Sequence, residues 1–260
     1  MTAFVRLLRK DLEGSKYPML FNAAAAVLWL LFLRYRLESG WPFNAVVALA
    51  VLPLAFLPFW FIWQTYQSLR TEWKEDTIYT LLTLPVPGWL INLSKMVALL
   101  IEYTVVAAAW VIGGAVIFWT AFQPELGELL ELVPLTWFIK NGLIVYIFSL
   151  AVFAAFITLV QLGYVVGKII GRLQGLILLW VLLLAIWIMQ AAGALLQPLF
   201  AWVPKIPLER LFSLHAIPRV VVHPPQAALW DISGSIGSWL ALVGLFLLGA
   251  WLLENVVEVD

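Results

Sequence analysis

Between two long apolar stretches the chain reads RTEWKEDTIYTLLTLPVPGWLINLSK, from Arg70 to Lys95, its densest run of mixed charge. Glu72, Lys74, Glu75 and Asp76 offer hydrogen-bonding and charged contacts to a facing surface, while Trp73, Ile78, Leu81, Leu82 and Leu84 form the apolar side that holds such a segment in place. A second candidate is Glu102, about eleven residues into the next apolar stretch and so about 15 Å deep at the rise of a helix. Ionisable side chains at that depth are costly and turn toward protein or water. Glu102 could line a path, bind a cation or carry a proton; the reading favoured by its surroundings is a protonated or hydrogen-bonded carboxyl that ties helices together through Gln161 or Gln190. Lys95 stands near the start of the same stretch and reads as an anchor whose amine snorkels to the surface.

Other constellations fall short. His215 and His223 are the only histidines, with no cysteine beside them and Glu209 and Asp231 as the nearest carboxylates, so loop histidines without a metal are expected. GYVVGKI, from Gly163, has three residues between its glycines and Ile169 after its lysine, whereas a phosphate loop needs four and then Ser or Thr. No serine–histidine–acid set, HExxH or paired carboxylates occur, so no catalytic residue is expected.

The elements that position these residues follow from composition. The 260 residues are 64% hydrophobic and 12% charged, against ~25% charged in soluble domains, and mean hydropathy is +0.99. This is an integral membrane protein, and spans of ~20 residues each leave room for about six. Net charge is zero and no basic tract occurs, which gives nucleic acid nothing to bind. The absence of cysteine excludes disulfides and thiolate chemistry. The first 16 residues place Phe4, Leu7, Leu8 and Leu12 among Arg6, Arg9, Lys10 and Asp11, as an amphipathic helix lying on the membrane does; they lack the core and cleavage site of a removable signal.

The spans are expected over 17–33, 43–69, 90–120, 137–166, 173–200 and 236–253, with Pro18 opening the first and Pro53 and Pro58 inside the second. A short helix from Arg70, its acidic first turn complementing the dipole, should end at Pro85 and Pro87. QPELGELLELVP, from Gln123, reads as a helix at the opposite surface, and 200–234 as an outer, proline-rich segment. Arg6, Arg9, Lys10, Lys16, Arg70, Lys74, Lys95, Lys168 and Arg172 fall on one side, against Arg34, Arg36, Lys140, Lys205, Arg210 and Arg219. The positive-inside rule then places both termini and segment 70–88 in the cytoplasm. Gly163, Gly167, Gly171 and Gly175 recur every four residues, of which Gly163 and Gly167 suit close helix packing within the subunit. Trp41, Trp89, Trp137, Trp202 and Trp239 fit an interfacial belt, while Trp110, Trp180 and Trp187 fall mid-span.

Glu72 and Glu75, the Thr77-Ile78 pair, Leu81-Leu82, Leu84-Pro85 and Lys95 resemble the segment after the second span of type-2 ATP-binding-cassette (ABC) exporter permeases. The resemblance rests on about 26 residues and on the layout around them, with Asp76 where members of that family often have glycine. It implies an all-α, polytopic, six-span permease domain with an interfacial N-terminal helix and a cytoplasmic coupling helix. It also implies a contact for a separate ATPase subunit along Glu72–Leu84, with ATP and Mg on that partner and no cofactor in this chain. Two permease subunits, alike or different, would pair in the plasma membrane around an outward path walled by spans one, two and five. Two other readings stay open: a non-transporting scaffold or assembly subunit, and an ion-coupled carrier using Glu102. The inverted repeats of many such carriers are not visible in this sequence.

Overall fold

A computed structural model describes residues 3–75, 86–119, 135–171, 173–207 and 229–256. Six long helices dominate: α1 (Ala3–Glu38), α2 (Phe43–Lys74), α3 (Gly88–Phe118), α4 (Leu135–Ile170), α5 (Gln174–Leu196) and α6 (Ile232–Asn255). All six are long and apolar enough to cross a membrane, the fifth counted with the 3-10 turn Gln197–Phe200 that extends it. A two-residue antiparallel pair, β1 (Ile206–Pro207) against β2 (Leu229–Trp230), closes the base of the segment before α6.

Helix ends depart from the sequence reading in an instructive way. The expected interfacial helix is not a separate element: α1 runs unbroken for 36 residues, through Pro18. Nor does a new helix begin at Arg70, since α2 carries on to Lys74. At ~1.5 Å per residue α1 is about 54 Å long, well beyond a ~30 Å hydrocarbon layer, so its first turns stand outside it. Proline marks the starts of α2 and α3, where Pro42 and Pro87 take extended conformations just ahead of the first helical turn. Gly40 at φ +91° makes the α1–α2 turn, a conformation that costs other residues. Gly171 at φ +78°, with Leu173 at +52°, makes the α4–α5 turn. The helix expected over 123–134, His215, His223 and Arg172 lie outside the described residues.

The helices pack up and down. α1 lies along α3 in the most extensive contact of the bundle, α4 sits against α2, α5 and α6, and α5 crosses α6. One core joins Leu30 and Leu33 of α1, Phe61 of α2, Val106 and Trp110 of α3 and Phe153 of α4. Leu159 and Leu162 of α4, Ala185 of α5 and Leu242 and Leu245 of α6 form another. Leu7, Ile91, Val165 and Leu253 meet at one end of the bundle, which therefore gathers both ends of the chain.

Close approach depends on glycine where the sequence suggested it, and also elsewhere. A Cβ at Gly163 would stand 2.5 Å from Leu178, and one at Gly167 would stand 3.3 Å from the Gln174 carbonyl, so both face α5 within the subunit. Gly171 serves the turn and Gly175 faces open space. At the α5–α6 crossing, a Cβ on Gly237 would meet the Ala192 carbonyl at 2.7 Å. Of the mid-span tryptophans, Trp110 is buried in the core while Trp180 and Trp187 face outward.

Candidate functional site

At the end of the bundle where the chain begins and ends, three helices bring charge together. Lys10 and Asp11 come from α1, Glu72 from the last turn of α2, and Ser94 and Lys95 from the second turn of α3. Glu72 Oε1 accepts from both Lys10 Nζ and Lys95 Nζ at 2.6 Å. Lys95 Nζ also reaches Asp11 Oδ1 at 3.3 Å, and the Ser94 hydroxyl donates to Asp11 Oδ2 at 2.8 Å. Two cations face two anions, so the group is locally neutral. Lys95, Asp11 and Glu72 keep no more than a tenth of their side-chain surface, while Lys10 stays open to solvent. Charges desolvated to that degree persist only when paired. Lys95 is thus no snorkelling anchor; its amine is buried in an ion pair.

A cleft of about 320 Å³ opens beside this cluster. α2 lines it with Gln64, Gln67, Ser68, Thr71 and Glu75, α1 with Gly14, Ser15 and Pro18, and α3 with Ala98 and Leu99. Gln64, Ser68, Thr71 and Glu75 follow a 4-3-4 spacing, which sets them on one face of α2. Glu102 lies one turn deeper on α3 and is fully buried. Neither of its oxygens accepts a hydrogen bond from a described residue; Gln64 approaches it short of that geometry. The partners expected for it lie elsewhere. Gln161 donates to the Asn92 carbonyl at 3.1 Å, and Gln190 lines a separate cavity between α4, α5 and α6.

A sequence model of the family described as ABC-2 family transporter protein matches residues 15–178, from the fourth turn of α1 to the start of α5. This chain belongs to the ABC-2 transporter family. No curated protein and no solved structure gives a match to it. An ABC-2 permease is a membrane transport component that normally works with an ATPase subunit, and it is not itself catalytic.

Within this ABC-2 permease the residues expected to meet the ATPase separate into four groups. Glu72 turns inward to the charge cluster. Trp73 is half-buried, packed on Tyr164 and beneath the Lys168 amine at 5.0 Å. Lys74 and Glu75 are exposed at the tip of α2. Asp76, Thr77, Ile78 and Leu81 lie outside the described residues. Sequence reasoning missed Lys10 as a partner of Glu72 and Asp11 as a partner of Lys95, and it missed the polar face of α2. The second had a signal, the 4-3-4 spacing. The first had none, since Lys10 and Glu72 are 62 positions apart.

Away from this end, Asp231 caps α6: its carboxylate accepts from the Ser233 amide at 3.0 Å and from the Ser233 hydroxyl. Gln197 donates to it at 2.9 Å and Lys205 stands 3.6 Å away. Above all the Ser233 hydroxyl, and also the Gln197 amide and the Lys205 charge, hold this carboxyl below its usual range.

Proposed function

We propose that this ABC-2 permease exports its substrate by alternating access, driven by a separate ATPase subunit that binds ATP and Mg. In this reading the ATPase docks on the exposed tip of α2, at Lys74 and Glu75, and on the segment that continues to residue 88. Both termini and that segment face the cytoplasm, and the protein resides in the plasma membrane. The observation that carries the reading is the Lys10–Asp11–Glu72–Lys95 cluster: it ties the root of the docking segment to α1 and α3 as well as α2. A displacement at the tip is then passed into three spans through rigid helices rather than lost in a loop.

A second permease subunit, the same chain or another, completes the path in this proposal. The apolar windows of α2 and α5 are only 11% and 6% buried, against 33% for α6. Exposed faces carrying Trp180 and Trp187 suit lipid and a facing subunit. The test is co-purification from membranes, followed by ATP turnover of the complex. Reversing charge at Lys74, Glu75 and Asp76 together, with Glu72 intact, should weaken association by about tenfold or more, ~1.4 kcal/mol of contact, and slow coupled turnover. Unchanged association and turnover would refute the docking site, and a permease that brings down no ATPase would refute the mechanism.

A further inference from the structure

We propose that Glu102 is a proton-binding site, reached from the charged end of the bundle through the cleft between α1, α2 and α3. The cleft ends at Ala98 and Leu99 of α3 and Gln64 of α2. Glu102 follows Ala98 by four residues and Leu99 by three, which puts it on the same face of α3, about 6 Å further in. A row of hydrogen-bonding side chains, Gln64, Ser68 and Thr71, leads toward it along α2. Side chains of this kind hydrogen-bond across packed membrane helices.

The carboxyl at the end of this row is 0% exposed, and its oxygens accept no hydrogen bond from a described residue. An ionised carboxylate held that way is strongly disfavoured, and a group so placed neutralises itself. A proton does this with no further ligand. A metal ion such as calcium would need about six to eight oxygens, and among the described residues no group of three or more His, Cys, Asp or Glu is placed to hold one. The transfer is simple. A hydronium enters the cleft and reaches the carboxyl, one of its O–H bonds breaks as the bond from that proton to a Glu102 oxygen forms, and water is left in the cleft.

Charges around the route favour cations. Lys10 and Lys95 face Asp11, Glu72 and Glu75, an excess of one acid among the cleft charges. An acidic excess in a cleft with low-dielectric walls concentrates protons. From α4 the polar groups turned to α3 are uncharged: Thr158, toward Met96, and Gln161, on the Asn92 carbonyl.

The test is infrared difference spectroscopy on the purified full-length chain in lipid nanodiscs, titrated with pH in ordinary and heavy water. A protonated-carboxyl stretching band should grow as pH falls, shift in heavy water and vanish in Glu102→Gln. Glu102→Asp should retain a displaced band, which covers the case of poor folding in the first variant. Ser68→Leu, which plugs the cleft, should slow exchange into heavy water. A band that persists in Glu102→Gln, that ignores pH and heavy water, or that disappears on adding sodium at fixed pH would overturn the assignment. The measurement uses this chain alone, so its outcome is independent of where an ATPase docks.

Discussion

Replacing Lys95 by methionine tests the charge cluster most directly. The methionine keeps most of the stem volume and removes the amine, leaving Glu72 and Asp11 with Lys10 as their shared cation. Unpairing a fully buried ion pair costs about 3–5 kcal/mol. Here Lys10 still contacts Glu72 at 2.6 Å and retains 43% of its side-chain surface in solvent, so the expected loss is smaller, about 2–3 kcal/mol. For a chain of this size that corresponds to a fall of roughly 4–12 °C in melting temperature. Glu72→Gln alone should also destabilise, because it leaves two amines facing one carboxylate. The double variant restores one cation to one anion and should recover at least ~1 kcal/mol relative to the sum of the single changes. Thermal unfolding in detergent or nanodiscs, read as a double-mutant cycle, measures this. Arg9→Met, which breaks the exposed Arg9–Glu13 pair, serves as the control and should leave the melting temperature unchanged. If Lys95→Met behaves like Arg9→Met, or if the double variant is merely additive, the cluster does not hold the three helices.

Gly237→Ala should cost about 1–3 kcal/mol by forcing α5 from α6, because its new methyl would stand 2.7 Å from the Ala192 carbonyl. Gly244→Ala, on the same helix with open space around it, should be neutral or gain up to ~1 kcal/mol; melting temperatures of the pair check both. Asp231→Ala should lower the melting temperature at neutral pH by removing the α6 cap. The folded carboxyl lies below its usual range, so its contribution is whole above the ordinary carboxylate value and is lost as pH falls through the folded one. Melting curves of the variant and the parent should therefore converge in strong acid, and a constant gap would contradict this.

The six spans were legible because apolar runs of that length have one stable fate in lipid. Where the helices end was not. Glu72 and Lys74 look like surface residues of a fresh helix when read locally, yet α2 extends through them, and Glu72 is buried because Lys10 and Lys95 neutralise it from other helices. Lys10 and Asp11 likewise belong to one unbroken 36-residue helix and not to a separate short one. Glu102 was legible as a costly charge at depth, but its environment was not: Gln161 has the right chemistry and a different address, on the Asn92 carbonyl. Gly163 and Gly167 were read correctly from spacing alone, since a four-residue repeat fixes the face. The α5–α6 crossing at Gly193 and Gly237 joins two distant segments, and no local spacing announces it.

The N-terminal helix and α3 are fastened at two places far apart. At one end Asp11 holds Ser94 and Lys95; near the other, Arg34 donates to the Ile117 carbonyl at 2.9 Å. Two staves nailed at top and bottom bend together or not at all. Any opening of this protein must then be sought along other seams, and α2, which touches α3 only sparsely, is the board left to swing about its fastening to α3 at Glu72. Crosslinks clamping the two staves should be silent, whereas one joining α2 to either should jam the machine.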